Sequence, residues 1–128
     1  DIGIELAVDS WTGPDGSDQD FLFPADWAEV KSVSLAAEVV HISSLQQLQQ
    51  EEEGRLIVYI LESTTTGEDR VCLVDVVNKI KAKIMANIRY LDRFDLKLYK
   101  YGYRREHENK YSNNQFRLVE KREYFVKN

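Results

Sequence analysis

Three residues near the start of the chain, Asp20, Glu29 and Lys31, have types and a spacing that suit a metal-assisted hydrolytic site. Glu29 and Lys31 are two apart, and residues two apart on a β-strand leave the same face, roughly 6.5 Å from one another along the chain. Between Asp20 and Glu29 lies Pro24-Ala25, which suits the centre of a hairpin turn. A hairpin centred there sets Asp20 opposite Glu29 with β-carbons roughly 5 Å apart. Two carboxylates that close repel unless a cation stands between them. A hard divalent ion such as Mg²⁺ (or Mn²⁺) accepts such oxygen ligands. Lys31 is then placed to orient or deprotonate a water whose pKa the ion lowers. The plain alternative is a hairpin with three solvated charges, in which Lys31 partly neutralises the acidic pair.

Several elements must position these residues. Residues 12–20 are turn-formers throughout and predict a loop. Phe21-Leu22-Phe23 reads as a short strand, Pro24-Ala25-Asp26 as a turn and Trp27 to Val33 as a second strand. On that register Phe21 and Phe23 share the opposite face with Ala28 and Val30, a candidate core. Val39-Val40-His41-Ile42 predicts a third strand. Ser43-Ser44 opens a helix that runs into Glu51-Glu52-Glu53, with Gly54 as its stop. Arg55 to Leu61 is almost wholly apolar, as in a strand covered on both faces. After the turn at Thr64-Thr65-Thr66-Gly67, the stripe Leu73, Val76, Val77, Ile80, Ile84, Ile88 and Leu91 predicts a long amphipathic helix. Asp69 is a candidate cap for it and Asp75 a candidate first-turn acid. Asp95 to Tyr99 continues as a second helical piece up to Gly102. Tyr103 to Phe125 reads as a hairpin around Ser112-Asn113-Asn114, returning through Phe116 to Val119. Strands meeting helices in this way predict a mixed α/β layer fold.

Composition bounds the chemistry. The chain has 128 residues, 43% hydrophobic and 30% charged, which suits one domain rather than two. Cys72 is the single cysteine, so an internal disulfide and a cysteine-built zinc or iron–sulfur site are both excluded. No apolar run approaches the roughly 20 residues of a membrane span, and a reducing cytoplasm is the expected compartment. The chain starts at Asp1 without methionine, the expectation being a fragment of a longer protein. The net charge of −5 is unevenly spread. Residues 1–78 hold three basic residues (Lys31, Arg55, Arg70) and sixteen acidic ones, and residues 79–128 hold fourteen basic and six acidic. Such asymmetry suits a polyanion partner for the C-terminal part, a cation site in the N-terminal part, or attraction between the two parts across the fold.

The words around the site residues extend the reading. Trp11-Thr12-Gly13-Pro14, Gln19-Asp20-Phe21, Glu29-Val30-Lys31 and Ile42-Ser43-Ser44 with Gln47-Leu48 together resemble the bacterial "PD-(D/E)XK motif protein" family. The resemblance continues more weakly through the long helix to Gly102-Tyr103. That family is assigned to the restriction-endonuclease-like nucleases. The resemblance implies a restriction-endonuclease-like core, a mixed β-sheet of about four to six strands flanked by helices. It implies Asp20 and Glu29 as metal ligands, Lys31 as the catalytic lysine of phosphodiester hydrolysis and Gln47 as a further site residue. DNA as substrate and a role in bacterial restriction or phage defence follow from it too, with a homodimer or larger defence complex as the assembly. Gln19 replaces the nominal proline, leaving the carboxylate in place. The superfamily often adds an acidic residue from an N-terminal helix. Glu5 is the nearby candidate, but the surrounding residues predict no helix.

Other residues read more plainly. Gln47 also fits a capping box with Ser44. His41 and His107 are too far apart in sequence to suggest a metal pair, and Ser43 and Ser44 lack the partners of a nucleophile. Trp11 and Trp27 suit packing. Lys79, Lys81, Lys83, Arg89 and Arg93 avoid the apolar stripe, and Arg104, Arg105 and Lys110 interleave with Tyr101, Tyr103 and Tyr111. Lys79, Lys83, Arg104 and Arg105 are the candidate DNA contacts, with a solvated helix face as the alternative. Two other functions fit the chain: a nuclease-like module that binds DNA without cutting, and an interaction domain whose acidic part docks the basic part of another copy.

Overall fold

The computed structural model describes residues 3–35 and 53–126. Its centre is a four-stranded mixed sheet in the order β1 (Phe21–Leu22), β2 (Trp27–Ser34), β3 (Gly54–Ser63) and β4 (Phe116–Val126). With flanking helices it is an α/β fold consistent with a restriction-endonuclease-like core. β1 and β2 form the hairpin expected around Pro24-Ala25, closed by the Phe23 N–H donating to the Asp26 carbonyl at 2.8 Å. Phe21 pairs with Ala28 and Leu22 with Trp27, which is the register the turn predicts. β2 runs parallel to β3, and β4 returns antiparallel to β3 with a bulge at Ile60/Leu61. The expected strand Val39–Ile42, most of the helix after it, and with them His41, Ser43, Ser44 and Gln47, lie outside the described residues.

Gly54, expected just past that helix, is the first residue of β3. It pairs with Trp27 on one side and Val126 on the other. A Cβ built there would lie 2.1 Å from Trp27 Cε2, so the buried indole takes the volume that any side chain would need. β3 is central in the sheet, yet its apolar run is not equally buried on both faces. Leu56, Val58 and Ile60 are buried with Val33 against Tyr124 and Val126, whereas Ile57, Tyr59 and Leu61 are half-buried and Arg55 is exposed. The half-open face is the one that carries Phe21, Phe23, Ala28 and Val30 beside Ile57 and Tyr59.

The helices gather round a second apolar cluster. α1 (Ile4–Ser10), α2 (Leu73–Ile84) and α3 (Ile88–Tyr101) bury Val8, Val77, Ile84, Phe94 and Leu98, with Trp11, Leu91 and Tyr103 packed against them. The expected long helix is therefore two helices, broken at Met85-Ala86-Asn87, where Asn87 adopts extended backbone. The capping residue of α2 is Cys72 rather than Asp69, while Asp75 does occupy the first turn. α3 ends as predicted at Gly102, whose φ of 116° is left-handed. The Gly102 and Tyr103 N–H groups both close back on the Leu98 carbonyl, the bonding that favours glycine at this position.

The segment read as a hairpin from Tyr103 is helical in its first half. A 3₁₀ turn at Arg105–His107 leads into α4 (Glu108–Asn113), and the return strand Phe116–Val119 is the start of an eleven-residue β4 paired with β3. A helix is also present at the N-terminal end, where none was expected: Glu5 lies on α1 and is exposed.

Candidate active site

α1 ends at Trp11, and the chain turns through a 3₁₀ helix, Gly13–Asp15, before reaching Asp20. The Asp20 carbonyl accepts from the Thr12 N–H at 2.9 Å and the Gly13 N–H at 3.0 Å, so the loop closes on the residue it delivers. Position 13 lies beside the carboxylate as well. A Cβ there would stand 3.4 Å from Asp20 Oδ1, against the carboxylate itself.

The two carboxylates hold each other's strands. Asp20 Oδ2 accepts from the Val30 N–H at 2.8 Å, and Glu29 Oε2 accepts from the Asp20 N–H at 3.3 Å. Each thus uses one oxygen on the backbone beside the other. Glu29 Oε1 is the oxygen left to Lys31, whose Nζ lies 3.2 Å away. Asp20 Oδ1 accepts no hydrogen bond among the described residues. The Glu29 side chain is only 12% exposed and the Lys31 side chain 44%, so a covered carboxylate meets an ammonium half in water. Burying a carboxylate is costly unless it is paired and hydrogen-bonded, and here both conditions are met. Asp20, Glu29 and Lys31 are thereby brought together as the sequence spacing requires.

The remaining candidates are placed elsewhere or otherwise engaged. Among the described residues no three His, Cys, Asp or Glu side chains converge, so Asp20 and Glu29 stand as a pair. Lys79 and Lys83 are exposed on α2 and form no ion pair among the described residues. Lys81 pairs with Asp95 at 3.2 Å and Arg93 with Asp9 at 2.8 Å. Arg104 stacks 3.8 Å over the Tyr99 ring and donates to the Tyr99 and Tyr103 carbonyls, which secures the end of α3. Arg105 is exposed beside it.

One residue next to this framework has no signature in the sequence. Lys97, on α3, donates to the carbonyls of Val8 at 2.6 Å, Asp9 at 3.2 Å and Trp11 at 2.7 Å, the last turn of α1 and its exit. Burial pulls its pKa below the usual lysine value, while Asp15 and Asp9 oppose that shift. A lone lysine on an amphipathic helix reads as solvated, and only the tertiary fold reveals what it touches.

A family model described as "Putative PD-(D/E)XK family member, (DUF4420)" matches residues 1–128. The chain belongs to this family. Asp20, Glu29 and Lys31, in the order D…E-x-K, lie together at the β1–β2 hairpin. No curated protein and no solved structure matches the chain. Among the described residues no helix is long and apolar enough to cross a membrane.

Proposed function

We propose that this protein is a metal-dependent nuclease that hydrolyses DNA phosphodiester bonds and serves bacterial restriction or defence against foreign DNA. The observation that carries the reading is the meeting of Asp20, Glu29 and Lys31 on the β1–β2 hairpin. The defence role draws on the likeness of the PD-(D/E)XK pattern to restriction endonucleases, an analogy of fold and motif.

The donor set suits a hard divalent cation such as Mg²⁺ or Mn²⁺: two carboxylates, each steadied by a backbone N–H through one oxygen. Asp20 and Glu29 would hold it. Such an ion supplies Lewis acidity that favours attack by water near neutral pH and offsets charge growing on the phosphate. Lys31 does the rest from its own position. Its ammonium is anchored by Glu29 and open to solvent on the other side, so it can donate to a phosphate oxygen or orient the attacking water. Lys79, Lys83, Arg104 and Arg105 belong to the basic C-terminal part and suit phosphate contacts, of which Lys79, Lys83 and Arg105 are the exposed ones.

Supercoiled plasmid incubated with the protein and Mg²⁺ or Mn²⁺ tests this. The expected result is nicking that Lys31→Ala abolishes, with Mn²⁺ binding that Glu29→Ala weakens. Metal and DNA binding without nicking would assign a binding module in place of an enzyme. Binding of neither at low salt would favour an interaction domain that pairs its acidic part with the basic part of a second copy.

A further inference from the structure

We infer that Lys97 is the positioning residue for Asp20: by gathering the end of α1 onto α3, it sets the loop that presents the carboxylate to the hairpin. The part of this inference that concerns catalysis rests on the nuclease reading above. The part that concerns geometry does not.

The reasoning starts from donors and acceptors. The last carbonyls of a helix lack intrahelical partners, and α1 has only seven residues, too few to be stable alone. Lys97 supplies three donors at this end of α1, to the carbonyls of Val8, which also takes the Trp11 N–H, of Asp9 and of Trp11 just past the helix. An ammonium has three N–H bonds, so none remains for other work. Charge suits this placement, because a cation at a helix C-terminus is favoured by the helix dipole.

From that anchor the chain reaches Asp20 by short, bonded steps. Trp11 packs on Phe94 and Tyr101 of α3 and bridges to Phe21 in the strand. The next two N–H groups, of Thr12 and Gly13, both donate to the Asp20 carbonyl. Lys100 adds an ion pair to Asp15 at 3.1 Å, and Arg93 one to Asp9. The loop is therefore held on α3 at one end and on β2 at the other, where Asp20 takes the Val30 N–H. Of the ties to α3, those from Lys97 are the most shielded: Lys97 is half-buried, whereas the Arg93 and Lys100 side chains are each 46% exposed. Exposed pairs contribute little.

Amide hydrogen exchange on the folded protein, read residue by residue, tests the inference without any metal. In Lys97→Met, exchange at Thr12, Gly13 and Val30 is expected to quicken by about tenfold or more while Val58 and Ile60 in β3 keep their protection. Lys97→Arg, which keeps charge and donors, should fall between the two and serves as the variant to read if Lys97→Met does not fold. Mn²⁺ affinity should fall in parallel by about tenfold, as when the groups that orient metal ligands are removed. Unchanged exchange at Thr12, Gly13 and Val30 would overturn the inference, as would equal quickening at Val58 and Ile60. If the exchange response appears but the unaltered protein binds no Mn²⁺, the nuclease reading fails and the positioning role stands.

Discussion

Lys31 and Lys97 show how two lysines in one small protein come to opposite uses. Lys31 lies on the hairpin, touches one carboxylate and keeps almost half of its side chain in water. Lys97 lies in the helical layer and gives its ammonium protons to three carbonyls. A saturated ammonium is a structural element, because moving it breaks several bonds at once. An ammonium held by one partner keeps donors free for a substrate. The same contrast separates the two layers: the sheet carries Asp20, Glu29 and Lys31 at its β1–β2 edge, while the helices hold the start of the loop that leads there.

The largest expected effect tests the open lysine. Lys31→Ala should lower plasmid nicking by at least about 100-fold, the scale on which one charge-stabilising donor acts in a transition state. Its stability in urea should fall by only about 1 kcal/mol, because Lys31 is half in solvent and Glu29, though covered, keeps the Asp20 N–H as a partner. A large loss of stability would make Lys31 structural like Lys97 and dissolve the contrast.

A mixed outcome is expected at the base of the hairpin. In Gly54→Ala the new methyl would overlap the Trp27 indole, whose Cε2 would be 2.1 Å away, and Trp27 is two residues before Glu29 on the same strand face. Overpacking of this kind costs about 1–3 kcal/mol, measurable by urea unfolding. Mn²⁺ binding should weaken alongside, because the strand bearing Glu29 must shift. Retained stability together with retained Mn²⁺ binding would show that the Trp27 contact does not govern Glu29.

The parts of the molecule that were legible in the sequence are those where local rules decide. A tight turn at Pro24-Ala25 and the two-residue period of a strand are enough to bring Asp20, Glu29 and Lys31 together. Gly102 announced its helix end because only the left-handed region serves there. What escaped was decided at a distance. α1 is short and no side chain caps its start, so nothing in residues 4–10 marks a helix until Lys97 and the packing of Val8 complete it. The break before Ile88 falls after Met85 and Ala86, both good helix formers, and thus against local preference. β4 lost its alternation to Glu120-Lys121-Arg122-Glu123, charges that an exposed edge strand tolerates. Its partner, β3, is more than fifty residues earlier in the chain.

The smallest effect belongs to the helical layer and should leave chemistry untouched. Tyr103 donates its hydroxyl to Glu108 at 2.7 Å and packs on Tyr111, with ring centroids 5.1 Å apart. Burial and then the bond to Glu108 raise its pKa above the ordinary tyrosine value. Tyr103→Phe keeps the ring and removes the bond, at a cost of about 1 kcal/mol near pH 8. The sign of its pH dependence follows from the raised pKa. Unfolded Tyr103 loses its proton near pH 10, whereas the folded protein must keep it, so folding is increasingly opposed as pH climbs past that point. The contribution of Tyr103 is therefore complete below about pH 10 and declines above it, and the gap between Tyr103→Phe and the unaltered protein should narrow in urea unfolding at higher pH. Plasmid nicking per folded molecule should not change. A gap that widened with pH would mean that the hydroxyl ionises more easily in the folded protein, which the carboxylate of Glu108 beside it opposes.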